Sequence, residues 1–185
     1  MHAIKVSKKY CDFIRNAVQC RQNSNLIKPI RYSERLIVGF SPEELFDVVC
    51  DVSKYKEFVP WCVQSDVNKR DFNISEFKAT LGIGFGPFRE AYQSTVAYER
   101  PKFVQSTTDE NSKLFKYLNS RWTFHNTSSG YTRQCELEFY VEFLFRQSIH
   151  STLSNLFFHH VVTTMVSAFT NRASYLYGRE TKMLS

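Results

Sequence analysis

Glu90, Tyr92 and Ser94 alternate along one short stretch, so on an extended strand their side chains share a face with Val96. A carboxylate, a phenol and a hydroxyl in one row can hold the polar end of a ligand, with Tyr92 and Ser94 donating hydrogen bonds. The same row can instead run acid–base chemistry through Glu90 or Tyr92. Two plainer arrangements stay open: this face meets water, or Glu90 pairs with an arginine. Other chemistry-bearing types are scattered. His159 and His160 are adjacent, about 100° apart on a helix, with no histidine or carboxylate one turn away, so no metal site is expected. Gly82-x-Gly84-x-Gly86 leads into Pro87-Phe88 and not into a helix, which fits a hairpin or bulge rather than a phosphate-binding loop. No Ser/His/Asp or Cys/His set stands out, and no catalytic residue is assigned.

The elements that must position such residues follow from composition and periodicity. The chain has 185 residues, enough for one domain with a sizeable core. It carries 17 Phe, 10 Tyr and 2 Trp against 6 Gly and 5 Pro, which excludes a low-complexity or disordered protein. No apolar run approaches the roughly 18–20 residues needed to span a bilayer as a helix. Cys11, Cys20, Cys50, Cys62 and Cys135 are odd in number and irregular in spacing, with no Cys-x-x-Cys pair; they read as free thiols in a reducing compartment.

The net charge of +6 belongs to the N-terminus. Lys5, Lys8, Lys9, Arg15, Arg21, Lys28 and Arg31 face a single acid, Asp12, whereas the rest of the chain balances its charges. A neutral body argues against a phosphate-backbone partner, so no nucleic acid is expected. Wound as a helix, residues 4–20 place Ile4, Val6, Phe13, Ile14 and Val18 opposite Lys5, Lys8, Lys9 and Arg15. Basic, amphipathic and N-terminal, residues 1–30 are expected to be a mitochondrial targeting segment and linker, with a single domain over 31–180.

Within that domain, 31–38 alternates as a first strand, with Tyr32, Glu34 and Leu36 on one face. Phe40-Ser41-Pro42-Glu43-Glu44 starts a helix: Ser41 caps, Pro42 takes the first turn, and the two acids face the positive end of the dipole. A second short helix is expected over 53–58, stopped at Pro60. Period two then predicts strands at 61–69, 72–83, 86–99, 102–109, 116–125 and 131–145, with short links that make an antiparallel meander. Leu118, Ser120, Trp122 and Phe124 share one face, as do Cys135, Leu137, Phe139, Val141 and Phe143. After Arg146 the period returns to 3.6 up to Gly178, a long helix whose main stripe includes Phe157, Val161, Met165, Phe169 and Leu176. Phe158, Val162 and Val166 widen the stripe into a strip that can meet a membrane or a partner. The order describes an α+β fold, a curved antiparallel sheet wrapped around a long C-terminal helix, with room for an apolar cavity between them.

Specific blocks carry a resemblance. Phe40-Ser-Pro-Glu-Glu-Leu-Phe-Asp-Val-Val, Tyr55-Lys-Glu-Phe-Val-Pro-Trp-Cys62, Leu81-Gly-Ile-Gly-Phe and the run from Leu114 through Trp122-Thr-Phe resemble the mitochondrial coenzyme Q-binding proteins of the START-like (polyketide cyclase) superfamily. So do Phe157-Phe158, Met165, Ala168-Phe169, Arg172-Ala173 and Leu176-Tyr-Gly178; the resemblance covers about residues 32–178. One loop departs from it, reading Ser112-Lys-Leu-Phe-Lys116 where the family has Gly-Pro-Phe-Lys.

The resemblance implies a helix-grip START-like lipid-binding domain that is not an enzyme and has no cofactor beyond its ligand, ubiquinone or a late polyprenyl precursor. It would act as a lipid chaperone for quinone biosynthesis and respiratory electron transport. Its expected place is peripheral, on the matrix side of the mitochondrial inner membrane, with the membrane surface and quinone-biosynthesis or respiratory-chain proteins as partners. Expected at the cavity wall or entrance are Phe58, Val59, Pro60, Trp61, Phe77 and Leu81, with Val96, Trp122, Phe124 and Phe139 from the later strands. Phe157, Val161, Met165 and Phe169 complete it from the helix, and Glu90, Tyr92 and Ser94 are the head-group candidates. Two other functions compete: a ribosome- or RNA-associated regulator, as in bacterial relatives, and a cyclase-like enzyme.

Overall fold

The computed structural model describes residues 29–71, 74–85, 88–108, 112–127, 133–146 and 155–181, without the side chains of 69–71, 85, 88 and 155–162. The expected targeting segment and residues 147–154, assigned above to the last helix, lie outside the described residues.

The chain begins with β1 (Ile30–Val38) and α1 (Pro42–Cys50), passes a 3-10 turn (Val52–Lys54) and the short α2 (Tyr55–Phe58), and enters the strand run. That run is β2 (Cys62–Asp71), β3 (Glu76–Phe85), β4 (Phe88–Glu99), β5 (Phe103–Thr108), β6 (Phe115–Asn126) and β7 (Cys135–Phe145), followed by α3 (Asn155–Tyr177). α1 starts as its residues dictate. Ser41 Oγ accepts from the Glu44 amide while Glu44 Oε2 accepts from the Ser41 amide, a reciprocal capping box that leaves two end donors satisfied.

All strands form one antiparallel sheet in the order β1-β7-β6-β5-β4-β3-β2. The meander is as expected, and β1 closes it by pairing with β7, placing consecutive strands β1 and β2 at opposite edges. Charge and packing fix that pairing on separate faces. Outside, Arg31 bonds Glu142 at 2.7 Å and Arg35 meets Glu136 and Glu138. Inside, β7 buries every second residue from Cys135 to Phe145. The boundaries of β3 moved. The strand begins at Glu76, β2 continues through Asp71, and Gly84 lies inside β3 rather than in a turn.

α1 and α3 cover the concave face and pack against each other. Phe46 of α1 fills one end, edge-on to Tyr98 and Phe124 at 6.1 and 6.2 Å between ring centroids. α3 ends at Gly178, whose φ of 84° suits a residue without Cβ. Arg133 caps that end, donating to the carbonyls of Tyr177 and Arg179 at 2.9 and 2.8 Å while its Nε bonds Glu44 at 3.1 Å. Two expectations for α3 are corrected. Val166 is buried in the core and not on an outer strip, and Leu176 is half exposed and not part of the buried stripe. The side chains of Phe158 and Val162 lie outside those described.

Candidate functional site

The concave face is filled at one end and hollow at the other. Beneath α1, Phe46, Phe77, Tyr98 and Phe124 pack into solid core. Beneath α3 and the Val59–Cys62 segment lies a cavity of about 170 Å³. Strand alternation supplies its walls: Leu81 and Ile83 from β3, Tyr92 and Val96 from β4, Val104 and Ser106 from β5, Leu118, Ser120 and Trp122 from β6, and Phe139 to Phe145 at alternate positions of β7. Met165 and Phe169, one turn apart on α3, close the opposite side. Phe169 is the plug, with ring centroids 4.7 Å from Trp122 and 5.1 Å from Tyr55.

The segment at its edge is strained. The Cys62 amide donates to the Val59 carbonyl at 3.2 Å, closing a four-residue turn with Pro60 second and Trp61 third. Trp61 has φ 60°, the left-handed conformation such a turn ordinarily gives to glycine. A bulky residue there costs about 1–2 kcal/mol, and strain of this kind concentrates at functional positions.

Polar side chains in the lining are few, and most are committed. Tyr55 Oη donates to the Val49 carbonyl at 2.5 Å, and Cys62 Sγ donates to the Gln64 carbonyl at 3.2 Å. Ser106 Oγ is 2.5 Å from Ser94 Oγ. Tyr92 and Ser120 differ: neither hydroxyl has a hydrogen-bond partner among the described residues, and both line the cavity. Burial pushes the Tyr92 phenol far above its ordinary range, with the Cys62 thiol adding to the shift, so at neutral pH Tyr92 is an uncharged O–H donor. Burial likewise raises the Cys62 thiol and takes Cys135 up to about 12, which keeps both protonated.

Of the residues expected at the wall, Val59, Pro60, Trp61, Leu81, Val96, Trp122, Phe139, Met165 and Phe169 line the cavity. Phe77 and Phe124 lie in the packed end, against Tyr98 and Phe46. Phe58 stands one ring outside, behind Phe169. The side chains of Phe157 and Val161 are outside those described.

Among the head-group candidates only Tyr92 reaches the cavity. Glu90 is half buried on the same strand face but outside the lining, opposite Ile83. Ser94 is fully buried, and its hydroxyl is engaged by Ser106 and by the Thr107 carbonyl at 3.0 Å. Ser106 and Ser120, directly opposite each other across β5 and β6, were not singled out from the sequence. Their signal was there, a small hydroxyl residue on a strand face otherwise apolar. The departing loop also contributes, since Leu114 and Phe115 are buried and line the cavity.

A family model described as polyketide cyclase / dehydrase and lipid transport matches residues 38–170. The coenzyme Q-binding protein COQ10 homolog B, mitochondrial, of Xenopus laevis is 39% identical over 153 residues, 83% of this chain. The match spans 62% of the frog protein, less than two thirds of its length. The ribosome association toxin RatA of Rickettsia prowazekii is 28% identical over 153 residues, covering 78% of this chain and 96% of the toxin. The solution structure of an 18 kDa protein from Caulobacter crescentus matches with a TM-score of 0.63 at 24% identity, over 81% of this chain and 99% of that one, a likeness of fold.

Proposed function

Because this chain belongs to the polyketide cyclase / dehydrase and lipid transport family, we propose that it is a carrier which takes the ring of coenzyme Q, or of a late polyprenyl precursor, into the cavity beneath α3. The observation that supports this most directly is an apolar pocket with two uncommitted hydroxyls, Tyr92 and Ser120. A quinone head carries acceptor oxygens and no donors, so one or two O–H groups suffice to orient it. The surrounding aromatics remove its apolar surface from water at about 25 cal/mol per Å². Tyr92 serves as a neutral donor, since burial holds its proton in place. On this reading no bond is made or broken, and the protein delivers its ligand to quinone-biosynthesis or respiratory-chain enzymes.

The proposed setting is the mitochondrion, peripheral to the inner membrane on its matrix side. The basic, amphipathic N-terminal segment supports the compartment. So does the similarity to a frog protein whose name gives both coenzyme Q binding and mitochondria. No helix among the described residues is long and apolar enough to cross a membrane. The half-exposed turn at Trp61 fits a membrane–water boundary, where indole rings are favoured.

The test is organic extraction and mass spectrometry of lipid carried by the full chain, purified from a quinone-producing host. A near-stoichiometric polyprenyl quinone is expected. A blank that persists after incubation with quinone in detergent overturns the reading and directs attention to ribosomes.

A further inference from the structure

We infer that a polyisoprenoid ligand leaves only its ring in the cavity and lays the first part of its tail in an outer groove between α2 and α3, passing beside Pro60. This rests on the carrier reading above. The cavity, at about 170 Å³, is on the order of the roughly 150 Å³ apolar cavity that takes up benzene. Among the described residues it takes at most a single ring and has no room for a chain of isoprene units. The tail therefore needs apolar surface outside it.

A groove of about 370 Å³ lies next to the cavity, lined by Phe58, Pro60, Ala168 and Tyr175 together with Arg172 and three uncharged polar residues of α3. Pro60 lines both spaces. Phe58 of the groove and Phe169 of the cavity have ring centroids 5.1 Å apart, so two rings in edge-to-face contact separate the two there. The thinner partition is Pro60, which borders both, and its displacement joins them. The groove also presents apolar surface that the described residues leave uncovered: Tyr175 is 79% exposed. Arg172, the cation of the lining, bonds Glu57 at 2.9 Å and lies 5.3 and 5.4 Å from the rings of Phe58 and Tyr175. Its charge is offset and its stem extends the apolar floor, which suits an uncharged chain.

Both tryptophans of the chain, Trp61 and Trp122, line the cavity, so quenching of their emission reports ring occupancy. The probes are the tail-less coenzyme Q ring and derivatives with one to four isoprene units, titrated into the wild type and into Ala168→Phe. Ser167→Phe is a second variant that fills the same groove from an exposed position, and circular dichroism checks folding of both. In the wild type the early units should each tighten binding about fivefold, less than full burial would give because the groove is open on one side. The filled variants should bind the tail-less ring within twofold of wild type and lose most of the gain per unit. Equal gains in wild type and both variants overturn the groove. A tail-less ring that quenches neither tryptophan at any concentration overturns the cavity reading, and the groove with it.

Discussion

The carbonyl of Trp61 accepts a hydrogen bond from the Gly84 amide at 2.9 Å, tying the strained turn beside the cavity to the third strand. The approach needs bare backbone on β3. A Cβ on Gly84 would lie 2.7 Å from Val63 Cγ1, and one on Gly82 would lie 2.8 Å from Gln64 Cβ and 3.3 Å from the Gln64 amide nitrogen. The two glycines should therefore differ. Val63 is 46% exposed and can turn away, so Gly84→Ala is expected to cost about 0.5–1.5 kcal/mol, the range of one displaced rotamer. Gly82→Ala meets the root of a side chain and backbone, and should cost about 1–3 kcal/mol. Urea denaturation of both variants decides it, and equal losses would contradict the argument.

Tyr92 and Ser120 should separate binding from stability. Tyr92→Phe keeps the ring against Phe115, 5.2 Å away between centroids, and removes only the hydroxyl. Each of Tyr92→Phe and Ser120→Ala is expected to weaken binding of the coenzyme Q ring about 3- to 10-fold, one ordinary hydrogen bond, without lowering the melting temperature. Ser94→Ala should do the reverse. It breaks the bonds to Ser106 and Thr107 and should cost about 1 kcal/mol, while ring affinity should not fall because the Ser106 hydroxyl is freed toward the cavity. Isothermal titration beside thermal melts reads both effects.

Arg133 joins the start of α1 to the end of α3 through one guanidinium. Arg133→Ala leaves the Glu44 carboxylate with only its capping-box bond from the Ser41 amide and removes a donor from two helix-end carbonyls, and should destabilise by about 1–3 kcal/mol. Arg133→Lys should recover little, because an ammonium cannot reproduce the fork. Full rescue by lysine in a denaturation curve would reduce the contact to simple charge.

Glu142 makes stability depend on pH. Hydrogen bonds from Arg31 and Tyr140, the largest causes, and from Tyr117 hold its carboxyl below the usual range in the folded protein. Its contribution is thus present above the unfolded carboxyl pKa of about 4.3 and is lost as pH falls through the lower folded value. Glu142→Gln should be less stable than wild type at pH 7, with the gap closing as the pH drops from 5 toward 3. Urea midpoints across that range measure it, and a gap that widens in acid would reverse the sign.

The elements were legible from the residues. Ser41-Pro42 and Glu44 start α1, Gly178 ends α3, and period two carries the strands from β2 to β7, because caps, φ preferences and alternation are local properties of the chain. Alternation also assigned Ser120, Trp122 and Phe124 to one inward face. It could not say which part of that face would be empty. Phe124 and Trp122 are two residues apart on one strand, yet Phe46 of α1 lies over the first and makes it core, while α3 spans the second and leaves a space. The commitment of Ser94 to Ser106, the retreat of Glu90 from the cavity, and the pairing of β1 with β7 were decided in the same way. A strand's pattern specifies the side on which a residue points. What it meets there depends on elements distant in sequence, as Phe46 is from Phe124, and only the assembled fold fixes their position.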